Sequence, residues 1–376
     1  MIYLDNASTT KPHKELINLY KKGLDEWFVN SDSLYPLGVQ LSLMIEKSRK
    51  IISELFYVQP QDLIFTSSGS EANNLAIKGL AFANRKNGNH LITSAIEHPS
   101  VLSSMKQLRD MFNFELTIIE VDNNGQLDLE SLSQSLRKDT ILVSFMAINN
   151  EVGTIFPIEE IVRVVKAKSK ALIHVDMVQL LGKHPLDLTG IDAASFSAHK
   201  INGFKGTGLL YCKHHLNILP LISGGQQEFG IRAGTANSIN NVLLAKTVMI
   251  ALKQQPMALE KVTKLNQYLR SELKKIDDIV INSPENGSPY IVSFSHLKLG
   301  SEIVMNALSQ KEIYVSSRST CSSKLNTVSH VLSAMSKNDE VLNGVIRVSM
   351  SHDTTKKELE ILIAEIKEVN KHVISK

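Results

Sequence analysis

The segment Ser195-Phe196-Ser197-Ala198-His199-Lys200 ends a run of small residues on a lysine and opens into a loop holding Gly203, Gly206 and Gly208. A lysine amine is nucleophilic only when its ammonium gives up a proton, which desolvation and neighbouring positive charge both favour. Lys200 is therefore a candidate for a covalent link to a carbonyl. Ser197 and His199 beside it suit the phosphate end of a bound group. The competing reading is a surface loop lysine, which most lysines are. In Ile173-His174-Val175-Asp176-Met177-Val178-Gln179, Asp176 closes an otherwise apolar strand, at the end of the sheet where open α/β folds gather ligands. A buried carboxylate needs a cation or strong donors. A pyridinium nitrogen would serve, and keeping that nitrogen protonated makes its ring a better electron sink. Gln179 would donate to a phenolic oxygen of the same ring. Taken alone, Asp176 also reads as the cap of the next helix.

A third segment, Phe65-Thr66-Ser67-Ser68-Gly69-Ser70-Glu71-Ala72-Asn73-Asn74, joins a strand to a helix, with Gly69 and Ser70 at the helix start. The N–H groups and dipole there favour an anion, and small residues let it come close. The plainer alternative is an N-cap formed by Ser70 with Glu71. In Glu97-His98-Pro99, His98 would stack on a ring and move protons, or simply be buried or cap a helix. The stretch Gly224–Thr235, with Arg232, suits a segment that orders on assembly near an anion, or an ordinary solvated loop. Cys321 sits in a polar stretch between Arg318 and Lys324, where cations favour a thiolate. Most free cysteines are buried and inert instead. The glycine spacing after Lys200 does not match a dinucleotide-binding fingerprint.

These residues need a scaffold. From about residue 60 to 215, short apolar runs alternate with amphipathic ones. Strands are expected at Leu63–Thr66, His90–Ser94, Glu115–Val121, Ile141–Ile148, Ala171–Asp176, Ala193–Ser197 and Gly208–Lys213, and the clearest helix at Pro157–Ser169. Apolar, β-branched strands alternating with helices predict an α/β domain with a mostly parallel sheet buried on both faces. After about residue 255 the pattern changes. A helix is expected from Leu259 to about Lys275, beyond Pro256, then a strand (Tyr290–Ser295), a helix (Ser301–Ser309), a strand (Gly344–Met350) and a last helix (Thr354–Val373). This predicts a large α/β domain over residues 15–255 and a smaller α+β domain made of 1–14 and 256–376. The chain's 376 residues suit two such units. A net charge of +3 without basic tracts gives no reason to expect nucleic acid or membrane partners. Two distant cysteines argue against a disulfide framework or a structural zinc site. With no signal-peptide pattern and no long apolar run, the expected location is the cytoplasm.

The order of these pieces is more specific than any one of them. A small-residue loop is followed by a histidine, Asp-x-x-Gln, Ser-x-His-Lys, Arg-x-Gly-Thr, a cysteine and an arginine. Together they resemble the NifS/IscS-type cysteine desulfurases, class-V aminotransferase relatives within the fold-type I pyridoxal-phosphate (PLP) enzymes. The resemblance runs from Tyr3-Leu4-Asp5-Asn6-Ala7-Ser8-Thr9-Thr10 to Ile346-Arg347-Val348-Ser349 and includes Asn149-Asn150-Glu151-Val152-Gly153. It implies a large domain with a mostly parallel seven-stranded sheet plus a smaller α+β domain. It further implies that Lys200 carries PLP as a Schiff base, Asp176 pairs with the pyridinium, and Gln179 and Asn150 lie near the ring oxygen. His98 would stack on the ring, while Gly69, Ser70, Ser197 and His199 bind phosphate. Thr235 would reach the phosphate of a neighbouring subunit in a homodimer. Arg347 would clamp the substrate carboxylate, and Asn150 would also contact it. Cys321 would accept sulfur on a segment like the longer loop of the IscS-type branch.

The implied activity is PLP-dependent removal of sulfur from L-cysteine, giving L-alanine and a Cys321 persulfide. That sulfur would pass to an acceptor protein, an iron–sulfur scaffold or a tRNA-thiolation enzyme. Selenocysteine lyase, another aminotransferase-type PLP enzyme and a non-enzymatic sulfur-relay scaffold are the competing readings. Cys321 decides between the desulfurase and the other PLP enzymes, since only sulfur transfer to the protein requires that thiol, and the intact set of Lys200, Asp176, His98 and Cys321 argues against the scaffold. The sequence departs from the family pattern at Arg318 (usually glycine), Thr320 (usually alanine), Asn202 and Phe204 (usually tyrosine and proline), Ser31 (usually proline) and Ser351-His352 (commonly Gly-Arg).

Overall fold

A computed structural model describes residues 1–317 and 328–374. Its strands are β1 (Ile2–Tyr3), β2 (Leu63–Thr66), β3 (His90–Ser94), β4 (Glu115–Ile119), β5 (Thr140–Met146), β6 (Leu172–Asp176), β7 (Ala193–Ser197), β8 (Gly208–Cys212), β9 (Ile279–Ile281), β10 (Ile291–His296), β11 (Ile313–Tyr314) and β12 (Val345–Ser349). Its helices are α1 (Lys14–Glu26), α2 (Pro36–Phe56), α3 (Gly69–Asn84), α4 (Pro99–Phe112), α5 (Leu129–Ser135), α6 (Ile158–Lys168), α7 (Ser238–Leu273), α8 (Ser301–Gln310), α9 (His330–Ala334), α10 (Asp339–Asn343) and α11 (Lys356–Ile374).

The main sheet has seven strands in the order β2-β8-β7-β6-β5-β3-β4. Only β8 runs against its neighbours; β7-β6-β5-β3-β4 pair in parallel. Every residue of β3, β5, β7 and β8 is buried. This is why these stretches read as unbroken apolar or small-residue runs rather than alternating ones: helices cover both faces. Phe145, Phe196, Val143 and Ile173 belong to a core shared with α2, α6 and α7, whereas Leu91, Leu142 and Leu210 pack with α3 and α4. A three-stranded antiparallel sheet, β12-β10-β9, and the parallel pair β1–β11 make up the rest. Their core joins Leu4 and Ala7 to Val262, Leu269, Val292, Ile346, Leu359 and Leu362. Residues 1–14 and the stretch after 256 thus meet in one apolar cluster, which supports the two-unit division that we propose. Among the described residues no helix is long and apolar enough to cross a membrane.

The expected break at Pro256 does not occur. One helix, α7, runs from Ser238 through Pro256 to Leu273. Proline removes one intrahelical hydrogen bond and crowds the preceding turn, but here it lies on the exposed face. Each half is anchored elsewhere: Leu244 and Val248 in the main core, Val262, Leu265 and Leu269 in the second. Packing at both ends outweighs the local penalty. Sequence periodicity also gave no sign of the two-residue strands β1 and β11, which are too short to show a period.

Candidate active site

The parallel register sets Met146 and Asp176 side by side at the carboxyl ends of β5 and β6, with Ser195 beside Asp176 and Ser197 closing β7. One cavity of about 240 Å3 opens there. Gly69, Ser70, His98, Asn150, Asp176, Gln179, Ser197, His199, Lys200 and Arg347 all line it. Residues spread over nearly 280 positions of sequence therefore meet at the place open parallel sheets reserve for ligands.

Asp176 is buried, and both oxygens are held by neutral donors. Oδ2 accepts from Asn73 Nδ2 at 2.7 Å and Oδ1 from the Val178 N–H at 3.0 Å. Among the described residues no helix lies between β6 and β7, so Asp176 caps none: one oxygen ties down the turn after the strand while the carboxylate faces the cavity. Its two hydrogen bonds supply no full positive charge, so a cationic ring nitrogen fits the chemistry of this pocket. Lys200 follows β7 in a single turn of 3-10 helix. Its Nζ donates to the carbonyls of Ala7 and Ser8, each at 2.6 Å. Gln179 Nε2 donates to the same Ala7 carbonyl at 3.0 Å.

His98 caps α4. Its Nδ1 accepts the Ser100 N–H at 3.2 Å, so in the neutral ring the proton sits on Nε2. Burial lowers its pKa; Asp176 opposes that and Lys200 adds to it. His199 is pushed down to about 4 by burial and by the charges of Lys200, Lys205 and Lys183. Both imidazoles are thus neutral at physiological pH. Arg347 is fully buried. Its Nη2 donates to Asp5 Oδ1 and Ser8 Oγ, each at 2.7 Å, and its Nη1 to the Asn150 carbonyl at 2.9 Å, while Nε is buried without a hydrogen-bond partner.

The anion end of the cavity lies at the start of α3. The N-cap is Ser68, whose hydroxyl accepts from the Glu71 N–H, and not Ser70. Gly69 and Ser70 therefore fall in the first turn, where N–H groups lack carbonyl partners within the helix. A Cβ on Gly69 would stand 2.8 Å from Val178 Cγ2, so glycine lets this turn sit close against the Val178 side chain that follows β6. The Ser197 hydroxyl is buried with no hydrogen-bond partner. An orphaned hydroxyl, a tight helix N-terminus and a buried carboxylate in one cavity fit a phosphate-bearing pyridine.

Thr235 stands apart. It is exposed and lines a separate cavity of about 140 Å3 with Thr66, Gln227 and Arg232. Its loop is pinned by two ion pairs: Arg232 Nε with Glu71 Oε1 at 2.8 Å, and Glu228 with buried Arg49 at 2.8 Å. Cys321, with Arg318 and Thr320, lies outside the described residues. Cys212 is buried at the end of β8, where desolvation and two aspartates push its thiol up to about 12. Several contributors escaped sequence reasoning: Asn73 beneath Asp176, Ser100 beside His98, the Ala7 and Ser8 carbonyls, and Lys183. Only Asn73 left a signal, one helical turn beyond Gly69 and Ser70 on α3. Asn202, one of the departures from the family pattern, takes φ +62° and donates twice, from its backbone N–H to Thr10 Oγ1 and from Nδ2 to the Lys11 carbonyl, fixing the segment that touches Lys200.

Comparison with known proteins agrees with this geometry. Residues 2–362 match the family model described as aminotransferase class-V. A relative from Dictyoglomus turgidum named cysteine desulfurase IscS is 39% identical over 362 residues, covering 95% of this chain and 91% of that one. A solved NifS-like protein superposes with a TM-score of 0.93 at 36% identity, covering 99% of each chain. The structure titled SspA in complex with cysteine gives 0.82 at 28% identity, over 94% of this chain and all of the other. The chain belongs to the class-V aminotransferase family of PLP-dependent enzymes.

Proposed function

We propose that this protein is a cysteine desulfurase that takes sulfur from L-cysteine, releases L-alanine and loads the sulfur on Cys321. The observation that carries the reading is the meeting of Lys200, Asp176, His98 and Arg347 on one cavity, in a chain whose relatives bear that name. Lys200 would hold PLP through its amine, Asp176 would keep the ring nitrogen protonated, and Gln179 and Asn150 would attend the ring oxygen. Ser197, His199, Gly69 and Ser70 would take the phosphate. Bound there, PLP supplies a sink for the electron pair left when an amino acid loses its α-proton.

The remaining work falls to this chain's side chains. Arg347 would hold the substrate carboxylate with bidentate geometry; its ion pair with Asp5 fixes the guanidinium plane beforehand. Lys200 would take the α-proton. His98, neutral and protonated on Nε2, would move a proton on the other side of the cavity. The Cys321 thiolate would attack the substrate sulfur: the S–S bond forms as the Cβ–S bond breaks, and protonation leaves alanine. The persulfide would then pass to an acceptor, an iron–sulfur scaffold or a tRNA-thiolation enzyme, in the cytoplasm.

A homodimer suits the surface. Leu24, Phe28, Leu34, Leu37 and Leu43 are exposed on and around α1 and α2, and Leu219, Leu221, Ile222 and Phe229 near the Thr235 loop. Apolar exposure on this scale favours association, which would carry Thr235 to the phosphate of the neighbouring subunit. The test is twofold. Borohydride reduction and peptide mapping should find the cofactor on Lys200, and Cys321→Ala should abolish alanine formation from cysteine with thiol present. An adduct on another lysine, or undiminished turnover in the variant, would reject the reading.

A further inference from the structure

We propose that Lys183 is a positioning residue that fixes the polarity of the Gln179 amide, so that an N–H and not a carbonyl is available toward the ring of the bound cofactor. The inference rests on the reading of the cavity as the PLP site. Lys183 is buried and follows Gly182, whose φ of +68° turns the chain back; a Cβ on Gly182 would come 2.8 Å from Ala251 Cβ on α7. Its Nζ donates to Gln179 Oε1 at 2.7 Å. It lines a second, smaller cavity directly behind Lys200, which lines both.

The two neighbours of Gln179 act together. An ammonium has donors and no acceptor; a carbonyl has an acceptor and no donor. Lys183, while protonated, therefore requires the amide oxygen on its side, and the Ala7 carbonyl, 3.0 Å from Nε2, requires the amide nitrogen on the other at any pH. A flipped amide would face donor to donor at Lys183 and acceptor to acceptor at Ala7, with both groups buried, where each mismatch is most costly. The second proton of Nε2 is then held for a ligand. Among the described residues no carboxylate offsets the burial of Lys183: burial, with the cations Lys200 and Arg347, lowers its pKa to about 7. Burying a lysine that, among the described residues, a glutamine alone partners is a poor way to stabilise a fold, so the arrangement has a use in the site. Ala7 links it to the reacting amine, since its carbonyl receives both Gln179 and Lys200.

The test follows the visible absorption of bound PLP against pH in the holoenzyme and in Lys183→Met, Gln179→Ala and the double variant. A donor at the ring's phenolic oxygen stabilises that oxygen as an anion and lowers the titration midpoint of the chromophore. Lys183→Met is expected to raise the midpoint by about one pH unit, a tenfold change in proton affinity. Gln179→Ala should raise it at least as far, and the double variant no further than Gln179→Ala, because the effect of Lys183 runs through that amide. Shifts that add in the double variant would mean that Lys183 acts as a bare charge, and an unmoved midpoint in Lys183→Met that it does not act at all; either overturns the proposal. Should the methionine variant not fold, Lys183→Leu, which likewise offers no donor to the Gln179 oxygen, carries the same expected rise and the same refutation. A wild-type protein that develops no visible band with PLP overturns the reading of the cavity, and this proposal with it.

Discussion

Asp176→Asn is the most informative single change in the site. The side chain keeps its volume and loses its charge. In the wild type both oxygens accept: Oδ2 from Asn73 at 2.7 Å, Oδ1 from Val178 at 3.0 Å. An asparagine can keep its oxygen toward Val178, but its NH2 then faces the NH2 of Asn73. Asn73 can answer by turning over, since its Oδ1 is buried without a partner; it then gives up its 2.9 Å bond to Ser100 Oγ. One hydrogen bond lost, roughly 1 kcal/mol, is offset by no longer burying a carboxylate. The apoprotein should therefore melt within a few degrees of the wild type. The holoenzyme loses more, because a hydrogen bond between two charged groups contributes about 1.5–3 kcal/mol. At about 1.4 kcal/mol per factor of ten, PLP affinity should fall roughly ten- to two-hundredfold. Alanine formation at saturating PLP should fall further, since the electron sink also weakens. Absorbance titration with PLP gives the first number and alanine release the second. Unchanged affinity together with unchanged kcat would refute the pairing of Asp176 with the ring nitrogen.

Two further outcomes concern groups outside the reaction. Glu97 is fully buried, with one oxygen unpartnered, and desolvation raises its pKa from 4.5 to about 8. A carboxyl that binds its proton more tightly when folded stabilises the fold below about pH 4.5, and that stabilisation is lost as pH rises toward 8. Glu97→Gln should accordingly hold its Tm better than wild type between about pH 6 and pH 8, measured by calorimetry; a parallel decline in both would mean that the acid is not held neutral. Cys212, with its thiol pushed up to about 12, should resist iodoacetamide in the native protein and react after denaturation, as read by mass spectrometry. Labelling of Cys212 under native conditions would contradict the burial described for it.

The sheet was legible because its strands are buried on both faces, so their apolar runs stand out against amphipathic helices. Bounds moved by only a few residues: Glu115–Val121 shortened to Glu115–Ile119, and Ile141–Ile148 shifted to Thr140–Met146. The helix through Pro256 was not legible, because its continuity depends on two cores that sequence neighbours do not reveal. The site divided in the same way. Residues with reactive side chains in short motifs could be named, and ten of them line the cavity. Those whose part depends on a backbone carbonyl, such as Ala7, or on holding another side chain, such as Asn73 and Lys183, carry no mark in the sequence. Ser68 took the cap expected of Ser70 because the chain enters α3 two residues earlier, which left Ser70 open toward the cavity.

The opening residues of the chain act as a strap between distant parts. Ile2 and Tyr3 pair with Ile313 and Tyr314 just ahead of the stretch that carries Cys321. A few residues on, Ala7 and Ser8 touch Lys200, and Asp5 grips Arg347. On the far side of the same stretch, Ser329 binds Glu151 and His330 reaches the Glu97 carbonyl beside His98. Both roots of the stretch that carries Cys321 are therefore tied to the walls of the pocket. A truncation that trims the first ten residues as a dispensable tail would cut one of these ties and remove the floor under Lys200 in the same stroke, whereas a fusion tag ahead of the exposed Met1 should leave both in place.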